Sequence, residues 1–315
     1  MNNHKNKTIV SFLPSATEIL LELGINNELV GVTHECNYPE EAKLKPRIIN
    51  SAFDASTMSS KEIDDKIVEL FGNGKDIYNI NDNVLKQLKP DIIVAQGICE
   101  VCSPFTNEIK HAISILGYNP QVLILDPHTL SDILDNIYEI AKNVGKIKEG
   151  KNLVKSLNDK INDIKKITKL KSKENLPRIL CLEWIDPFFT AGHWVPDMVE
   201  IAGGINGLSK PKEQSRRASL EEIKKFDPDK IILMPCGFNI ERTIKEYKNT
   251  TLNKNQEWNS LRAIKNNAIY VVDAGSYFSK PGPRTIIGIE ILAKIISPNE
   301  FKDKAPENSY TKLIE

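Results

Sequence analysis

The chain has 315 residues, of which 42 are basic and 42 acidic, so its formal net charge is zero. This length suits two domains of ordinary size, and 40% hydrophobic with 27% charged residues is typical of a globular protein. The balanced charge argues against nucleic acid as a partner, because a polyanion requires a basic surface. No apolar run reaches the roughly 18 residues that a membrane span needs, so we expect no membrane insertion.

The amino-terminal sequence bears on cellular location. Seven mostly polar residues lead into Thr8–Gly24, an apolar segment that carries Glu18 and Glu22 and is followed by no lipid-anchor cysteine. A signal peptide needs an uninterrupted apolar core and a small-residue cleavage site, and neither is present. We therefore expect a cytoplasmic protein. Five cysteines, an odd number, then indicate thiols or metal ligands rather than a disulfide framework.

Short β-branched runs alternate with amphipathic helices through the first 125 residues. The predicted strands are Ile9–Leu13, Leu29–Thr33, Asp91–Ala95 and Gln121–Leu125. The predicted helices are Ser15–Gly24, Ser59–Leu70, Asp82–Leu88 and Pro104–Gly117, and Ser15 with Glu18 forms a capping box in the first of them. Such alternation is typical of a mostly parallel sheet.

Helical periodicity without any strand signal fills residues 130–170, so we predict two consecutive helices there. The second half then repeats the alternation. Its predicted strands are Arg178–Glu183, Lys230–Met234 and Ala268–Asp273, and its helices begin at Pro196, Ser219 and Pro283. Ser219 and Glu222 form a second capping box. We expect the polar tail after Pro298 to be loosely held.

An internal sequence repeat supports two related lobes. LKQLKPDIIVAQGIC (Leu85–Cys99) resembles IKKFDPDKIILMPCG (Ile223–Gly237), since each reads as a helix, a Pro-Asp pair, an apolar strand and a loop with cysteine. The predicted fold is α/β, with two Rossmann-like lobes of mostly parallel sheet joined by a long inter-lobe helix. We assign residues 1–128 to the first lobe, 129–172 to the linking helices, 173–300 to the second lobe and 301–315 to a tail.

Sulfur, imidazole and aromatic side chains collect in the loops after the predicted strands, which is where open α/β sheets bind ligands. These residues are His34, Cys36 and Tyr38, then Cys99 and Cys102, then Trp184, Phe188, Phe189, His193 and Trp194, then Cys236, and finally Tyr277 and Phe278. If the lobes face each other, the second lobe supplies mainly aromatic side chains and the first lobe supplies most of the thiols. We assign Cys181, inside a strand, to the core and His128 to the surface near the linker.

These loops support two kinds of chemistry. Aromatic walls would hold a flat, largely apolar ligand, with contacts from Tyr38, Trp184, Phe188, Phe189, His193, Trp194, Tyr277 and Phe278. Alternatively, the C-x-x-C pair with His34, Cys36 and His193 would bind a soft metal ion such as zinc, iron or copper(I). Dinucleotide, P-loop, serine-hydrolase and zinc-protease motifs are absent from the sequence. Cys36 near His34 is the one local pairing of a nucleophile with a base.

The chain resembles the class III substrate-binding proteins, the vitamin B12-binding and ferric-siderophore-binding components of ABC importers, in the helical-backbone metal receptor superfamily. The resemblance covers Thr8–Ile296 and rests on IVSFLPSATEILLELG, ELVGVTHECNYP, LKQLKPDIIVAQ, WIDPFFTAGHWVPDMVEIAGGING and SYFSKPGPRTIIGIEIL. It implies two α/β lobes joined by a long helix, a ligand held in the cleft between them, and no catalysis. Asn37-Tyr38-Pro39 is similar to an Asp-Tyr-Pro of the B12-binding members, which implies that Tyr38 contacts the corrin ring.

The departures from that family point to a particular branch. Cysteines 36, 99 and 102 and the insertion Ala55–Tyr78 are similar to a branch labelled "cobalamin-binding protein". We therefore expect a non-catalytic binding protein for a cobalamin-like corrinoid or another metal chelate, with His34, His193 or a thiolate as axial donor. Two alternatives stay open: a cytosolic zinc- or iron-delivery protein, and a thiol-dependent enzyme of corrinoid metabolism. Whether an ABC permease is a partner also stays open.

Overall fold

The computed structural model describes residues 7–97, 106–170 and 172–313, and these residues form two compact units. Unit 1 comprises Met1–Met58, Glu62–Pro127 and Asp132–Val154, and unit 2 comprises Ser59–Lys61, His128–Ser131 and Lys155–Glu315. Cys99 and Cys102 lie outside the described residues. The predicted α/β class with two lobes is confirmed, and the two sheets are mixed and, taken together, mostly parallel.

The first part of the chain forms the alternation that the sequence predicts. Its elements are β1 (Ile9–Ser11), α1 (Pro14–Glu22), β2 (Leu29–Thr33), α2 (Glu40–Lys43), β3 (Arg47–Ser51), α3 (Ser60–Gly72), β4 (Tyr78–Ile80), α4 (Asp82–Leu88), β5 (Ile92–Gln96), α5 (Thr106–Leu116) and β6 (Gln121–Leu125). The strands form one sheet in the order β4-β3-β2-β1-β5-β6. Every neighbouring pair is parallel except β3 with β4.

The centre of this sheet is buried on both faces, as a parallel sheet covered by helices requires. All the residues of β1 and β5 are buried. Val10, Phe12, Ile48 and Ile93 belong to the hydrophobic core beside them. Chain order reverses between β1 and β5, and this reversal marks the carboxyl-end crevice where such sheets bind ligands.

Two consecutive helices follow, as the periodicity predicts. They are α6 (Leu130–Asn143) and α7 (Ile147–Thr168), and Gly145, with φ +73°, lies in the turn between them. A left-handed backbone at that turn favours glycine, because other residues meet a steric penalty there. The 22-residue α7 belongs to unit 1 as far as Val154 and to unit 2 from Lys155 onward.

The second half contains more short elements than the sequence predicts. They are β7 (Arg178–Trp184), β8 (Phe189–Thr190), α8 (Val195–Ile201), β9 (Ile205–Asn206), β10 (Arg216–Arg217), α9 (Leu220–Phe226), β11 (Lys230–Leu233), α10 (Ile240–Asn249), α11 (Gln256–Asn259), α12 (Arg262–Lys265), β12 (Ile269–Val272), α13 (Ala274–Tyr277), α14 (Thr285–Ile296) and β13 (Tyr310–Lys312). The sheet order is β10-β8-β7-β11-β12-β13, and β9 also pairs with β7.

The expectation of a loosely held tail is wrong. β13 pairs antiparallel with β12, and Phe301 and Leu313 are both buried. The tail is polar overall, but these two apolar side chains and the backbone hydrogen bonds of β13 fix it to the edge of the sheet. The composition of the segment did not reveal this, because a three-residue edge strand carries almost no periodic signal.

The two copies of the internal sequence repeat occupy equivalent positions in the two sheets. β5 lies between β1 and β6, and β11 lies between β7 and β12. Asp91, just before β5, accepts a 2.8 Å hydrogen bond from the backbone N–H of Thr8, just before β1. Asp229, just before β11, accepts one of 2.8 Å from the backbone N–H of Arg178, at the start of β7. An aspartate at the equivalent position therefore links the equivalent pair of strands in each unit.

Asp229 also belongs to an ionic network at the amino ends of β7 and β11. Arg262 contacts Asp229 at 2.8 Å and Asp227 at 3.0 Å, and Arg178 contacts Asp227 at 3.5 Å. Burial by itself raises the pKa of Asp229. The hydrogen bonds and charges of Arg178 and Arg262 outweigh burial, so the pKa of Asp229 lies below its usual value.

Candidate functional site

The loop between β2 and α2 carries three of the residues singled out in the sequence, and an arginine fixes its backbone. Nη1 of Arg47, on β3, donates to the carbonyl oxygens of Thr33 at 2.8 Å and Cys36 at 2.9 Å. A charged donor that bridges two carbonyls restrains the whole turn. Tyr38, two residues further on, therefore projects from a backbone that is held in place.

The Cys36 side chain packs in the core of unit 1. It has no exposed surface, and its sulfur lies 3.2 Å from Oγ1 of Thr17 and 3.3 Å from Oγ1 of Thr33. Reactive cysteines are partly exposed, whereas this side chain is fully buried. The described structure therefore gives Cys36 the environment of a structural thiol.

Tyr38 and His34 differ in what they offer to a ligand. Tyr38 is 45% exposed, which is high for so large an aromatic side chain. His34 is half-buried, its Nδ1 is 3.3 Å from the carbonyl oxygen of Ile49, and its ring centre is 6.1 Å from that of Tyr78. With Nδ1 beside that carbonyl, Nε2 is the His34 nitrogen that could approach a metal.

The thiol cluster stays a prediction. Cys99 and Cys102 fall outside the described residues, so their positions relative to His34 are not defined. Within residues 7–97, 106–170 and 172–313, no group of three or more His, Cys, Asp and Glu side chains could hold a metal ion.

In unit 2, a stack of side chains lies at the carboxyl ends of β7 and β11. The Trp184 ring centre is 5.4 Å from that of Phe238. The Arg242 guanidinium lies over the Phe238 ring, 3.8 Å from its centre. Nε1 of Trp184 donates a 3.1 Å hydrogen bond to the carbonyl oxygen of Ser60. The half-buried indole is therefore held at its edge and against its neighbour.

Two further half-buried aromatic rings in unit 2 each lie near an arginine. The Arg217 guanidinium is 5.5 Å from the ring centre of Phe189, its cross-strand partner between β10 and β8. The Arg284 guanidinium is 5.9 Å from the ring centre of Tyr277. An aromatic face beside a guanidinium suits a ligand with an apolar plane and anionic substituents.

Three other residues predicted as ligand contacts pack against side chains of unit 2. Phe188 stacks on Trp258 at 5.3 Å and 13°, against the hydrophobic core. Trp194 and Phe278 are only 6% and 3% exposed, and Nε1 of Trp194 donates a 3.0 Å hydrogen bond to the carbonyl oxygen of Phe278. This bond joins the loop after β7 to the end of α13, so the pair supports the site region from inside.

His193 lies in a constrained turn before α8. Its φ is +54°, and its backbone N–H donates to the carbonyl oxygen of Glu213 at 2.7 Å. Its ring centre is 5.7 Å from that of Trp194 and also 5.7 Å from that of His128. His128 is half-buried in this arrangement, whereas the sequence placed it at the surface.

Sequence reasoning missed the side chains that support the aromatic residues. Phe238 and Arg242 follow β11, and Arg217 and Arg284 lie beside Phe189 and Tyr277. Phe238 comes two residues after Cys236, in a loop already under consideration, so its position at a strand end was a usable signal. The arginines had no such signal, because only the fold brings them to the rings.

The comparisons with known proteins define the class. A profile of the family described as "Periplasmic binding protein" matches residues 9–275, and the chain belongs to this family. The resemblance to class III substrate-binding proteins is thereby confirmed. One relative is an uncharacterised ABC transporter substrate-binding lipoprotein, YvrC, of Bacillus subtilis (strain 168). It is 28% identical over 94% of this chain and 82% of its own length.

A second relative and one solved structure extend the comparison. The vitamin B12-binding protein of Vibrio cholerae serotype O1 is 22% identical over 90% of this chain and 86% of its own. The crystal structure of S. aureus IsdE complexed with heme superposes with a TM-score of 0.69 and 18% identity, over 92% of this chain and 99% of the other. At that identity the superposition shows the shared fold.

The expectation of a cytoplasmic location is wrong. One of the relatives is a substrate-binding lipoprotein, which points away from a cytoplasmic location. The expectation rested on the first residues of the chain alone, which carry no information about the fold. No helix in the described ranges is long and apolar enough to cross a bilayer.

Proposed function

We propose that this protein is the binding component of an ABC importer for a planar metal chelate, with a corrinoid as the first candidate. The observation that carries the proposal is Tyr38, an exposed aromatic ring on a loop that Arg47 fixes at the carboxyl end of β2. The named ligands of the relatives, vitamin B12 and heme, are both flat metal-bearing macrocycles, and they support the same ligand class.

The physical basis of binding is apolar burial on a preorganised surface. A ring that loses exposed area against a flat ligand gains about 25 cal/mol per Å². Restraint of the Tyr38 backbone lowers the entropy cost of ordering that ring. Placing a large apolar face on such rings therefore accounts for affinity without any covalent chemistry.

In unit 2, we propose Trp184, Phe189 and Tyr277 as ligand contacts. Each is half-buried and held by a neighbouring side chain, so each ring is fixed before any ligand arrives. The arginines beside Phe189 and Tyr277 favour heme as a second candidate, because its carboxylates would pair with guanidinium groups.

The two alternatives gain no support. A zinc- or iron-delivery site needs several converging donors, and the described part of the chain contains no such group of three. A thiol-dependent enzyme needs an accessible nucleophile, and Cys36 is enclosed by protein atoms.

A visible-absorbance titration tests the proposal. Hydroxocobalamin and hemin are each added to the purified full chain, and spectral shift and retention after gel filtration are measured. We expect one of the two to bind at one equivalent. Tyr38→Ala is expected to weaken that binding by about tenfold, equivalent to about 1.4 kcal/mol.

Tyr138→Ala is the matched control, because Tyr138 on α6 is 39% exposed, close to Tyr38. It is expected to bind like the unmodified chain. Failure of both chelates to bind would refute the proposed ligand class. Equal affinities for Tyr38→Ala and Tyr138→Ala would refute the assignment of Tyr38.

A further inference from the structure

Two histidines of unit 2 lie together in a way that the proposed chelate contacts do not use. His128 precedes α6, and His193 precedes α8. Their ring centres are 5.7 Å apart, the planes are inclined at 36°, and both side chains are half-buried. Imidazole is the side chain most often used to bind transition metals, and these two rings come from separate loops.

The turn that carries His193 is fixed by close backbone packing. A Cβ atom on Gly192 would lie 2.4 Å from the backbone nitrogen of Ser215, so only glycine fits there. The backbone N–H of His193 donates to the carbonyl oxygen of Glu213, in the same neighbouring segment. These contacts define where the backbone of His193 lies before any ion arrives.

The turn that carries His128 is tied to the same helix that follows His193. The backbone N–H of Leu130, two residues after His128, lies 3.4 Å from Oδ2 of its acceptor Asp197 on α8. On the other side, the Trp194 indole is held by the carbonyl oxygen of Phe278 and lies beside the His193 ring. Both imidazoles are therefore attached to one structural element, α8 and the turn before it.

The spacing fits two ligands on one ion. A metal–nitrogen bond of about 2.0–2.1 Å puts each ring centre about 3.2 Å from the ion, so the centres of two rings on one ion lie about 4.5 Å apart at a right angle and about 6.4 Å apart when the rings are opposite. The observed 5.7 Å falls in this range. With neutral imidazole donors, the preferred ions are the later first-row divalent metals, in the order Cu²⁺ above Ni²⁺ and Zn²⁺.

We propose that His128 and His193 together bind one divalent transition-metal ion of the Ni²⁺, Cu²⁺ and Zn²⁺ group, with water completing its coordination. This site is distinct from the proposed chelate contacts at Tyr38, Trp184, Phe189 and Tyr277. It requires no chelate, so it stands or falls independently of the proposed function.

Titration of the untagged full chain with NiCl₂ tests the proposal, after alkylation of accessible thiols with iodoacetamide so that sulfur cannot compete. Calorimetry on the alkylated chain without substitutions is expected to show one equivalent bound. His128→Gln and His193→Gln are each expected to weaken binding by about tenfold or more, since each removes one of two protein ligands. His111→Gln, an exposed histidine beside Asp82 on another element, is expected to leave binding unchanged.

A second measurement keeps the test informative if a variant misfolds, which circular dichroism would reveal. Diethyl pyrocarbonate modifies imidazoles, and peptide mapping locates the modified histidines. In the chain without substitutions, Ni²⁺ is expected to protect both His128 and His193 from modification. Unchanged Ni²⁺ affinity in a folded His128→Gln variant, or protection of one of the two without the other, would overturn the proposal.

Discussion

A buried carboxylate in unit 2 offers the most direct quantitative test of the structure. Glu246, on α10, is 7% exposed, and its Oε1 accepts hydrogen bonds from both the backbone N–H, at 2.8 Å, and the hydroxyl of Ser60. Ser60 is fully buried at the start of α3, and its carbonyl oxygen accepts the Trp184 indole N–H. Glu246 therefore fixes the residue that positions a proposed ligand contact.

The magnitude follows from these two bonds. A hydrogen bond to a charged group contributes about 1.5–3 kcal/mol, so Glu246→Ala is expected to cost about 3–6 kcal/mol and to leave two buried donors of Ser60 unsatisfied. Glu246→Gln keeps an oxygen acceptor but loses the charge, and we expect a loss of about 1–3 kcal/mol. Glu241→Ala, an exposed position on the same helix, is the control and is expected to change stability by about 0.5 kcal/mol or less.

Hydrogen exchange is the appropriate assay, because a chain with two units need not unfold in one transition. The Ser60 amide is expected to exchange at least about a hundredfold faster in Glu246→Ala than in the control, equivalent to about 3 kcal/mol of local opening. Trp184 emission is expected to shift at the same time. If Ser60 protection in Glu246→Ala equals that in Glu241→Ala, the assigned role of the carboxylate is wrong.

Two further predictions concern acid stability and thiol reactivity. Because the folded pKa of Asp229 is lowered, its stabilising contribution is present above its unfolded pKa of about 4 and is lost as pH falls through the folded value. Acid titration monitored by circular dichroism should therefore show a weaker pH dependence below pH 4 in Asp229→Asn, and an unchanged curve would contradict this. Burial raises the pKa of the Cys181 thiol. Iodoacetamide at neutral pH should therefore label half-buried Cys236 far faster than Cys181, which mass spectrometry measures. Equal labelling rates would contradict the structure.

Helix boundaries show how far local sequence rules reach. The capping box at Ser219 and Glu222 is present, with both reciprocal hydrogen bonds formed at the start of α9. The box predicted at Ser15 and Glu18 is wrong, because α1 begins at Pro14 and both side chains are buried inside the helix. The motif is the same, but proline at the first position started the helix one residue earlier.

Functional residues show a different limit. Tyr38 and Cys36 are two residues apart, and the sequence treats both as ligands. The structure exposes Tyr38 and encloses Cys36 between two threonine hydroxyls. Residue type and position in a loop after a strand predict both side chains as ligands. Only the packing of Cys36 against α1 and β2 shows that one is enclosed and the other exposed.

The sequence by itself determined the α/β alternation, the two long helices and the repeated order of helix, Pro-Asp pair and strand at Asp91 and Asp229. These features depend on periodicity and turn residues, which neighbouring residues specify. The tertiary structure alone decided which aromatic rings are available, where the arginines lie and that His128 meets His193. Those contacts join residues far apart in the chain, and their energies depend on burial and distance, which no local pattern encodes.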